Sequence, residues 1–431
     1  MTKGKVRYKM KSRSLANRFK KISMKSILIC LSVYFLLSVF SILSQISLQY
    51  DNGLFDSAKV QRRSDFLAAL EYRTMDPKAI RRRHTFLESI DVNTMNVNKT
   101  AFGNNYTLGS QRSSEFDFPY IINGKGICKE KNHPYLLIMV PSMHTHIDTR
   151  NTIRQTWGRA ADPGVWPKYG KLNMTVKLVF LFGTSKTALG HSIVSEESRI
   201  YGDIVYADFV DSYFNLTYKS IMGLRWVAEF CRDSKYVLKA DEDVFVHVKN
   251  LLDFLERRDY KPTGSVYGHA LLNSDVLRTG RWGVTRTAFP LDVYPTYTCG
   301  NTYVISTNIA AHMYYTAGLL PYINIEDVFV TGIVRTFLGA EITDVVGFTH
   351  WFERRPVPCE FKNNVRISAT KVLDSLQLYI WEGLKRNLTD CYTPIKTIAD
   401  KARRPEKSNT YQLLRDDHIL KNKTSGKFYV L

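Results

Sequence analysis

Three consecutive carboxylates interrupt an otherwise apolar run at Tyr236-Val237-Leu238-Lys239-Ala240-Asp241-Glu242-Asp243-Val244-Phe245-Val246. Uncompensated carboxylates are rarely buried, because removing charge from water is expensive. The economical reading is a buried strand whose end delivers Asp241 and Asp243 into a site. Residues i and i+2 of an extended chain point the same way, so these two carboxylates would converge on one cation. Hard oxygen ligands favour Mg²⁺ or Mn²⁺, which keep positions open for phosphate oxygens. A solvated acidic turn between two strands is the competing reading, and the local pattern alone does not separate the two.

A second acidic feature lies at Ile325-Glu326-Asp327-Val328-Phe329-Val330, where Glu326 and Asp327 precede an apolar helical run from Val328 to Leu338. Acids at a helix N-terminus are favoured by the dipole and by capping. The functional alternative is a positioned general base at Asp327. Arg150 and Arg154 lie four apart in Arg150-Asn-Thr-Ile-Arg-Gln-Thr-Trp-Gly158, on one face if helical. Such a pair suits a diphosphate or internal acids. The segment from Arg278 to Tyr297 is loop-like and rich in Arg, Pro and aromatics. In it Trp282, Tyr294 and Tyr297 are candidates for a sugar-stacking platform, against the plainer reading of core aromatics.

The elements that must position these residues read as alternating strands and helices. Apolar runs at Tyr135 to Val140, Val176 to Gly183, Asp203 to Phe209 and Tyr236 to Ala240 suit buried strands. Helical patterns fall at 188–199 and 211–230, and again at 248–257. Strands alternating with helices predict an α/β sheet with mainly parallel strands. Ligands of such sheets gather beyond the carboxyl ends of strands, where Asp241-Glu242-Asp243 would emerge. A further strand is expected at Ser265 to Leu272, another after Cys299, and a strand and helix within 365–385.

The net charge of +20 is placed unevenly: residues 1–25 carry ten Lys or Arg and no acid, half of the excess. That placement argues against nucleic acid as a partner. Ile27 to Leu48 follows with no charge across 22 residues, long enough to cross a bilayer. Basic residues before it and Asp51 after it place the N-terminus in the cytoplasm. The expected layout is a cytoplasmic tail at 1–26, a signal anchor at 27–48, a lumenal stem at 49–130, a folded domain at 131–395 and a basic tail at 396–431. Sequons at Asn98, Asn105, Asn173, Asn215, Asn387 and Asn422 all lie beyond the span, as glycosylation in a lumenal compartment requires. Five of the six cysteines also lie beyond it, so at least one lumenal thiol is left free or pairs between chains. No Walker A loop, His-Glu-x-x-His, well-placed Gly-x-Gly-x-x-Gly or EF-hand loop occurs.

Seven separated motifs stand in one order: Arg150 to Gly158, Phe180-Leu-Phe-Gly183, Tyr201-Gly-Asp-Ile204, Asp208-Phe-x-Asp-Ser-Tyr-x-Asn-Leu-Thr-x-Lys219, Lys239-x-Asp-Glu-Asp-Val-Phe-Val246, Tyr294-Pro-x-Tyr-x-x-Gly300 and Glu326-Asp327-Val328. In this order they resemble the β-1,3-glycosyltransferases, a family of β-1,3-galactosyltransferases and β-1,3-N-acetylglucosaminyltransferases related to fringe. The resemblance covers roughly residues 133–345. It implies a GT-A nucleotide-sugar-binding fold, a UDP-sugar donor, Mn²⁺ with Mg²⁺ as the alternative, and inverting transfer to the 3-hydroxyl of an acceptor glycan. It implies that Asp243 contacts the metal, that Asp241, with Lys239, Arg150 and Arg154, belongs to the donor side, and that Asp327 is the base. The middle residue of the acidic triplet, usually Asp in relatives, is Glu242 here. Many relatives carry a second metal ligand, a His, where Thr370 aligns; here either His350 or water substitutes, or metal binding is weakened.

The expectation is therefore a Golgi-resident, single-pass type II hexosyltransferase, galactose first and N-acetylhexosamines next, acting on glycolipid or glycoprotein. Its further partners would be copies of itself or other Golgi transferases. The alternative from a different class is an inactive, membrane-tethered glycan-binding or chaperone-like protein, motivated by Thr370.

Overall fold

The computed structural model describes residue 90 and residues 97–129, 133–348, 356–362 and 366–386, with the pairs 420–421 and 428–429. All fall in the compact unit Arg73–Leu431. The 27–48 span, the basic N-terminus, most of the expected stem and most of the C-terminal tail lie outside the described residues. Among the described residues no helix is long and apolar enough to cross a membrane.

The frame is one eight-stranded sheet. In chain order its elements begin with β1 (Tyr120–Ile122), β2 (Leu136–Pro141), α1 (Ile147–Gln155), β3 (Val176–Thr184), α2 (Ala188–Tyr201), β4 (Ile204–Val210), α3 (Leu216–Phe230) and β5 (Tyr236–Ala240). There follow a short β6 (Phe245–Val246), α4 (Val248–Glu256), β7 (Ser265–Leu271), β8 (Tyr297–Ser306) and α5 (Ala310–Gly318). The last are α6, a wide π-type turn over Val328–Val334 that continues into Arg335–Phe337, then β9 (Glu341–Asp344), α7 (Pro358–Lys362), β10 (Ser368–Ala369) and α8 (Asp374–Lys385). The sheet order is β1-β4-β3-β2-β5-β8-β7-β9.

Four neighbouring strands, β4-β3-β2-β5, run parallel. Every residue of β2 and of β5 is buried, as expected for strands covered on both faces, which read as continuous apolar runs rather than alternating ones. The helix between β3 and β4 is bounded by local chemistry. Thr187 caps its start by accepting from the Gly190 amide, and Gly202 ends it in the left-handed conformation at φ 68°.

The expected mainly parallel sheet is corrected at β8. This strand runs antiparallel to both β5 and β7, and β1 is antiparallel to β4, so the sheet is mixed. The reversal is what builds the site: Thr302 pairs with Ala240, so the residues before Thr302 lie beside the acidic triplet. The β8–β7 register also jumps between Thr298 and Tyr303. Such a bulge frees residues from the ladder and re-aims them, here Cys299-Gly300-Asn301.

Residues 97–129, which the sequence reading placed in the stem, pack on the folded domain. Phe116 is fully buried, Tyr106 stacks edge-on against Phe289, and Cys128 is disulfide-bonded to Cys231. Cys359 is also disulfide-bonded, and Cys299 is a free thiol.

Candidate functional site

Asp241, Glu242 and Asp243 follow β5 directly. The extended i, i+2 geometry expected there is not what forms. The Val244 amide donates to the Asp241 carbonyl at 3.2 Å, closing a four-residue turn over the triplet. The turn nevertheless keeps the two aspartates close. Burial, followed by the Asp241 charge, pushes the Asp243 carboxyl up to about 6.

The turn is fastened from several sides. The Asp241 amide donates to the Asn301 carbonyl at 2.9 Å, and the Val372 amide donates to the Asp243 carbonyl at 2.7 Å. Gln377, fully buried on α8, donates to the Glu242 carbonyl at 3.0 Å and itself accepts from the Trp157 indole at 2.9 Å. The Glu242 carboxylate is held by two residues of the loop after β2. It accepts from Ser142 Oγ at 2.5 Å and contacts the His146 ring. Thr370 follows β10, which pairs with β6, so the segment aligned with the relatives' histidine does lie beside the acidic turn. His350 is outside the described residues.

Lys239 is buried on β5, and its ammonium is the positive centre of the cluster. It donates to Asp241 Oδ1 and to the Gly300 carbonyl, both at 2.5 Å, and lies 3.8 Å from Glu326 Oε2. Burial opposes its charge, but Asp241 and Glu326 outweigh that and raise its pKa. Glu326 is buried too and accepts from the Tyr303 hydroxyl at 2.5 Å. Lys239 therefore ties the donor-side carboxylate to the base-side pair rather than standing free.

Asp327 sits at the N-terminus of α6, partly open to solvent. Its Oδ1 accepts from its neighbour's amide, Val328 N, at 2.9 Å. Burial, then the Glu326 charge, pushes its carboxyl up to about 7, the range suited to a base at neutral pH. Gly300 is packed against it: a Cβ built there would meet Asp327 Oδ2 at 2.9 Å and Cγ at 3.1 Å. Only glycine lets the bulge of β8 approach this carboxylate.

Arg150 and Arg154 take a different role from the donor contacts expected of them. Arg150 is fully buried, and all its N–H groups are used: by Glu197, by Ser142 Oγ, and by the Met143 and His144 carbonyls. Arg154 pairs with Asp203 at 2.8 Å and with Glu197 at 2.7 Å, and donates to Asn151. Arg150 has no N–H left for a diphosphate in this arrangement. Arg150 acts on the site through Ser142, whose hydroxyl holds Glu242. Lys219 supports the same loop, donating to the Ser142 carbonyl at 2.8 Å and pairing with Asp211.

Of the aromatic candidates, Tyr294 and Tyr297 are core residues, 6% and 9% exposed; only Trp282 reaches solvent in part. Among the sequons, Asn98, Asn105 and Asn173 are exposed. Asn215 is half-buried with its amide donating to the Val210 carbonyl at 2.7 Å, and the Thr217 of its sequon is fully buried. Asn387 and Asn422 are outside the described residues. Gly300 had a signal in the sequence, as the end of the Tyr294 motif. Gln377, Tyr303 and Ser142 had none, since each acts through a partner distant in the chain.

A mixed α/β sheet with an acidic turn beyond its parallel strands and a base-range carboxylate beside it is a glycosyltransferase architecture. The Galactosyltransferase family model matches residues 148–346. The chain is 34% identical over 252 residues to human beta-1,3-galactosyltransferase 1, covering 57% of this chain and 74% of that protein. It is 37% identical over 199 residues to gorilla beta-1,3-galactosyltransferase 5, covering 46% of this chain and 64% of that protein. Among solved structures, the apo WbbM bifunctional glycosyltransferase overlaps with a TM-score of 0.29 at 12% identity, covering 51% of this chain and 40% of that chain, a likeness too slight to build on. The chain belongs to the β-1,3-glycosyltransferase family.

Proposed function

We propose that this protein transfers galactose from UDP-galactose to the 3-hydroxyl of an acceptor sugar, forming a β-1,3 linkage by a single inverting displacement. The observation that carries this reading is the pairing of two unlike carboxylate environments. Asp243 lies in a buried acidic turn that raises its carboxyl to about 6, and Asp327, beside Glu326, is held in the range of a neutral-pH base. Both galactose relatives named above support the sugar.

Asp243 and Asp241 fit a hard divalent cation, Mn²⁺ or Mg²⁺, by the chemistry of their donor set and the raised proton affinity of Asp243. Among the described residues no group of three or more His, Cys, Asp or Glu side chains is arranged to hold a metal, so the donor's phosphate oxygens and water would complete the coordination. Such a cation supplies charge stabilisation to the departing diphosphate. Asp327 accepts the proton of the attacking hydroxyl, and its Oδ1 contact to the Val328 amide fixes the carboxylate's orientation. Glu326 and Tyr303 hold the Lys239 ammonium between the two halves, so donor and base keep a set spacing. The displacement inverts the α-linked donor to a β-linked product without a nucleophile on the enzyme.

We place this chemistry in a GT-A fold behind the 27–48 anchor, in the lumen of the Golgi. The charge asymmetry around that span and the three exposed sequons support the topology. The test is a donor screen with the purified protein, followed by linkage analysis. Transfer from UDP-galactose with a β-1,3 product supports the reading. Transfer only from another UDP-sugar changes the donor, and no transfer or hydrolysis with any donor favours a glycan-binding protein.

A further inference from the structure

The loop after β2 meets the acidic turn through one half-exposed imidazole. β2 and β5 are parallel neighbours, with Met139 paired to Lys239, so Ser142 to His146 and Asp241 to Asp243 leave the sheet side by side. The loop is held along its length. Lys219 donates to the Ser142 carbonyl at 2.8 Å, and Arg150 donates to the Met143 carbonyl at 2.5 Å and the His144 carbonyl at 3.3 Å. The His146 amide donates to the Met143 carbonyl at 3.0 Å, and the Arg150 amide to the His146 carbonyl at 3.1 Å. His146 therefore stands on a fixed backbone.

Glu242 fixes the ring as well. Ser142 Oγ accepts from Arg150 Nη1 at 2.9 Å, which leaves its single proton for Glu242 Oε2 at 2.5 Å, and Glu242 Oε1 contacts His146 Nδ1. An ionised carboxylate only accepts, so the Nδ1 that faces it carries the hydrogen. The other nitrogen, Nε2, is then a lone-pair acceptor in the neutral ring. It has no hydrogen-bond partner among the described residues, and the side chain is 48% exposed. Such an acceptor matches a hydroxyl rather than a phosphate oxygen. The reach depends on Glu at the middle of the triplet, since an Asp carboxylate stands one methylene, about 1.5 Å, shorter.

His146 and the base lie on opposite flanks of the turn. In the order β2-β5-β8, His146 follows β2 on one side of β5, while Gly300, packed on Asp327, belongs to β8 on the other. An inverting displacement needs the attacking hydroxyl and the departing diphosphate on opposite faces of the anomeric carbon. The flank away from Asp327 is thus the donor's. We propose that His146 is a donor-binding residue, its Nε2 accepting a hydrogen bond from a hydroxyl of the UDP-sugar, and that Glu242 is the positioning residue that sets its tautomer and orientation. The inference rests on the proposed transfer from a UDP-sugar and adds a contact that takes the donor through hydroxyls rather than charge. Those hydroxyls are of two kinds, on the ribose and on the transferred sugar, and the test separates them.

Calorimetric titration of UDP and of UDP-galactose into the full chain in detergent, with Mn²⁺ at pH 8, tests this. His146→Asn keeps an amide at the Nδ1 position for Glu242 and lacks Nε2, whereas His146→Gln places an amide at the Nε2 position. His146→Ala and His146→Asn are each expected to weaken binding about tenfold, the worth of one lost hydrogen bond, and His146→Gln to recover most of that. A loss already present with UDP assigns the ribose, and a loss confined to UDP-galactose assigns the transferred sugar; either sustains the contact. Glu242→Asp is expected to weaken binding by a similar factor and to add nothing further to His146→Ala. Wild-type affinity for both ligands in His146→Ala and His146→Asn overturns the contact while leaving the donor reading intact. Fully additive losses in the double variant overturn the role of Glu242. Absence of UDP binding by wild type overturns the donor reading itself, and this assignment with it.

Discussion

Replacing Asp327 by Asn separates the catalytic from the structural consequences of one carboxylate. Its pKa in the folded protein is about 7, against an ordinary 3.8. The native state thus holds this proton more tightly than the unfolded chain does. That preference contributes full stability below about pH 4 and is lost as pH rises through 7. Three pKa units correspond to about 4 kcal/mol at most. Asp327 is partly open to water and shares its charge environment with Glu326 and Lys239, so about 1–2 kcal/mol is the expected share. Asn keeps the shape and can still accept from the Val328 amide. Urea unfolding in chelator at pH 8 should therefore show Asp327→Asn more stable than wild type by about 1–2 kcal/mol, the gap shrinking toward pH 4. In the same variant kcat should fall by about 10²–10⁴-fold, the worth of a general base. Near-normal turnover, or a stability gap that does not depend on pH, would refute the reasoning.

Gly300→Ala should lower kcat by about tenfold or more, because the new Cβ would stand 2.9 Å from Asp327 Oδ2; a wild-type rate would show that the base tolerates displacement. Glu197→Ala leaves the buried Arg150 charge without its carboxylate, so a loss of about 3–5 kcal/mol in unfolding free energy is expected, with an unchanged donor KM per folded molecule. A raised donor KM in a variant of wild-type stability would return Arg150 to the donor pocket. Cys128→Ser opens a cross-link spanning 103 positions and should cost about 2–5 kcal/mol by calorimetry or denaturant titration. Mn²⁺ together with UDP should raise the melting temperature of wild type but not of Asp243→Asn, and equal shifts in both would move the cation elsewhere.

The parallel half of the sheet could be read along the chain, because strands buried on both faces, such as Leu136–Pro141 and Tyr236–Ala240, are written as unbroken apolar runs. The helix over Val328 to Leu338 was visible for a similar reason, with its acids marking the start. Features set by distant partners were not visible. Arg150 and Arg154 present the spacing of an anion clamp, yet Glu197 and Asp203, 47 and 49 positions away, take them. The direction of β8 depends on pairing with β5 across the whole stretch from 241 to 296, which no local pattern records. Tyr294 and Tyr297 look like Trp282 in composition, and only the fold separates core rings from an exposed one. Convergence of Asp241 and Asp243 is expected of an extended chain, whereas the backbone there closes into a hydrogen-bonded turn. Lys239 sits two residues before Asp241 in the motif, but its link to Glu326 needs the bulged β8 between them.

The central claim is that donor and base carboxylates act together in one galactosyl transfer. The most direct measurement is product formation from UDP-galactose and a panel of glycosides in the presence of Mn²⁺, with linkage determined on the product, for wild type, Asp243→Asn and Asp327→Asn. The account predicts a β-1,3-linked galactoside from wild type and loss of it in both variants, each still folded. A product of another linkage, or full activity in either variant, would contradict it.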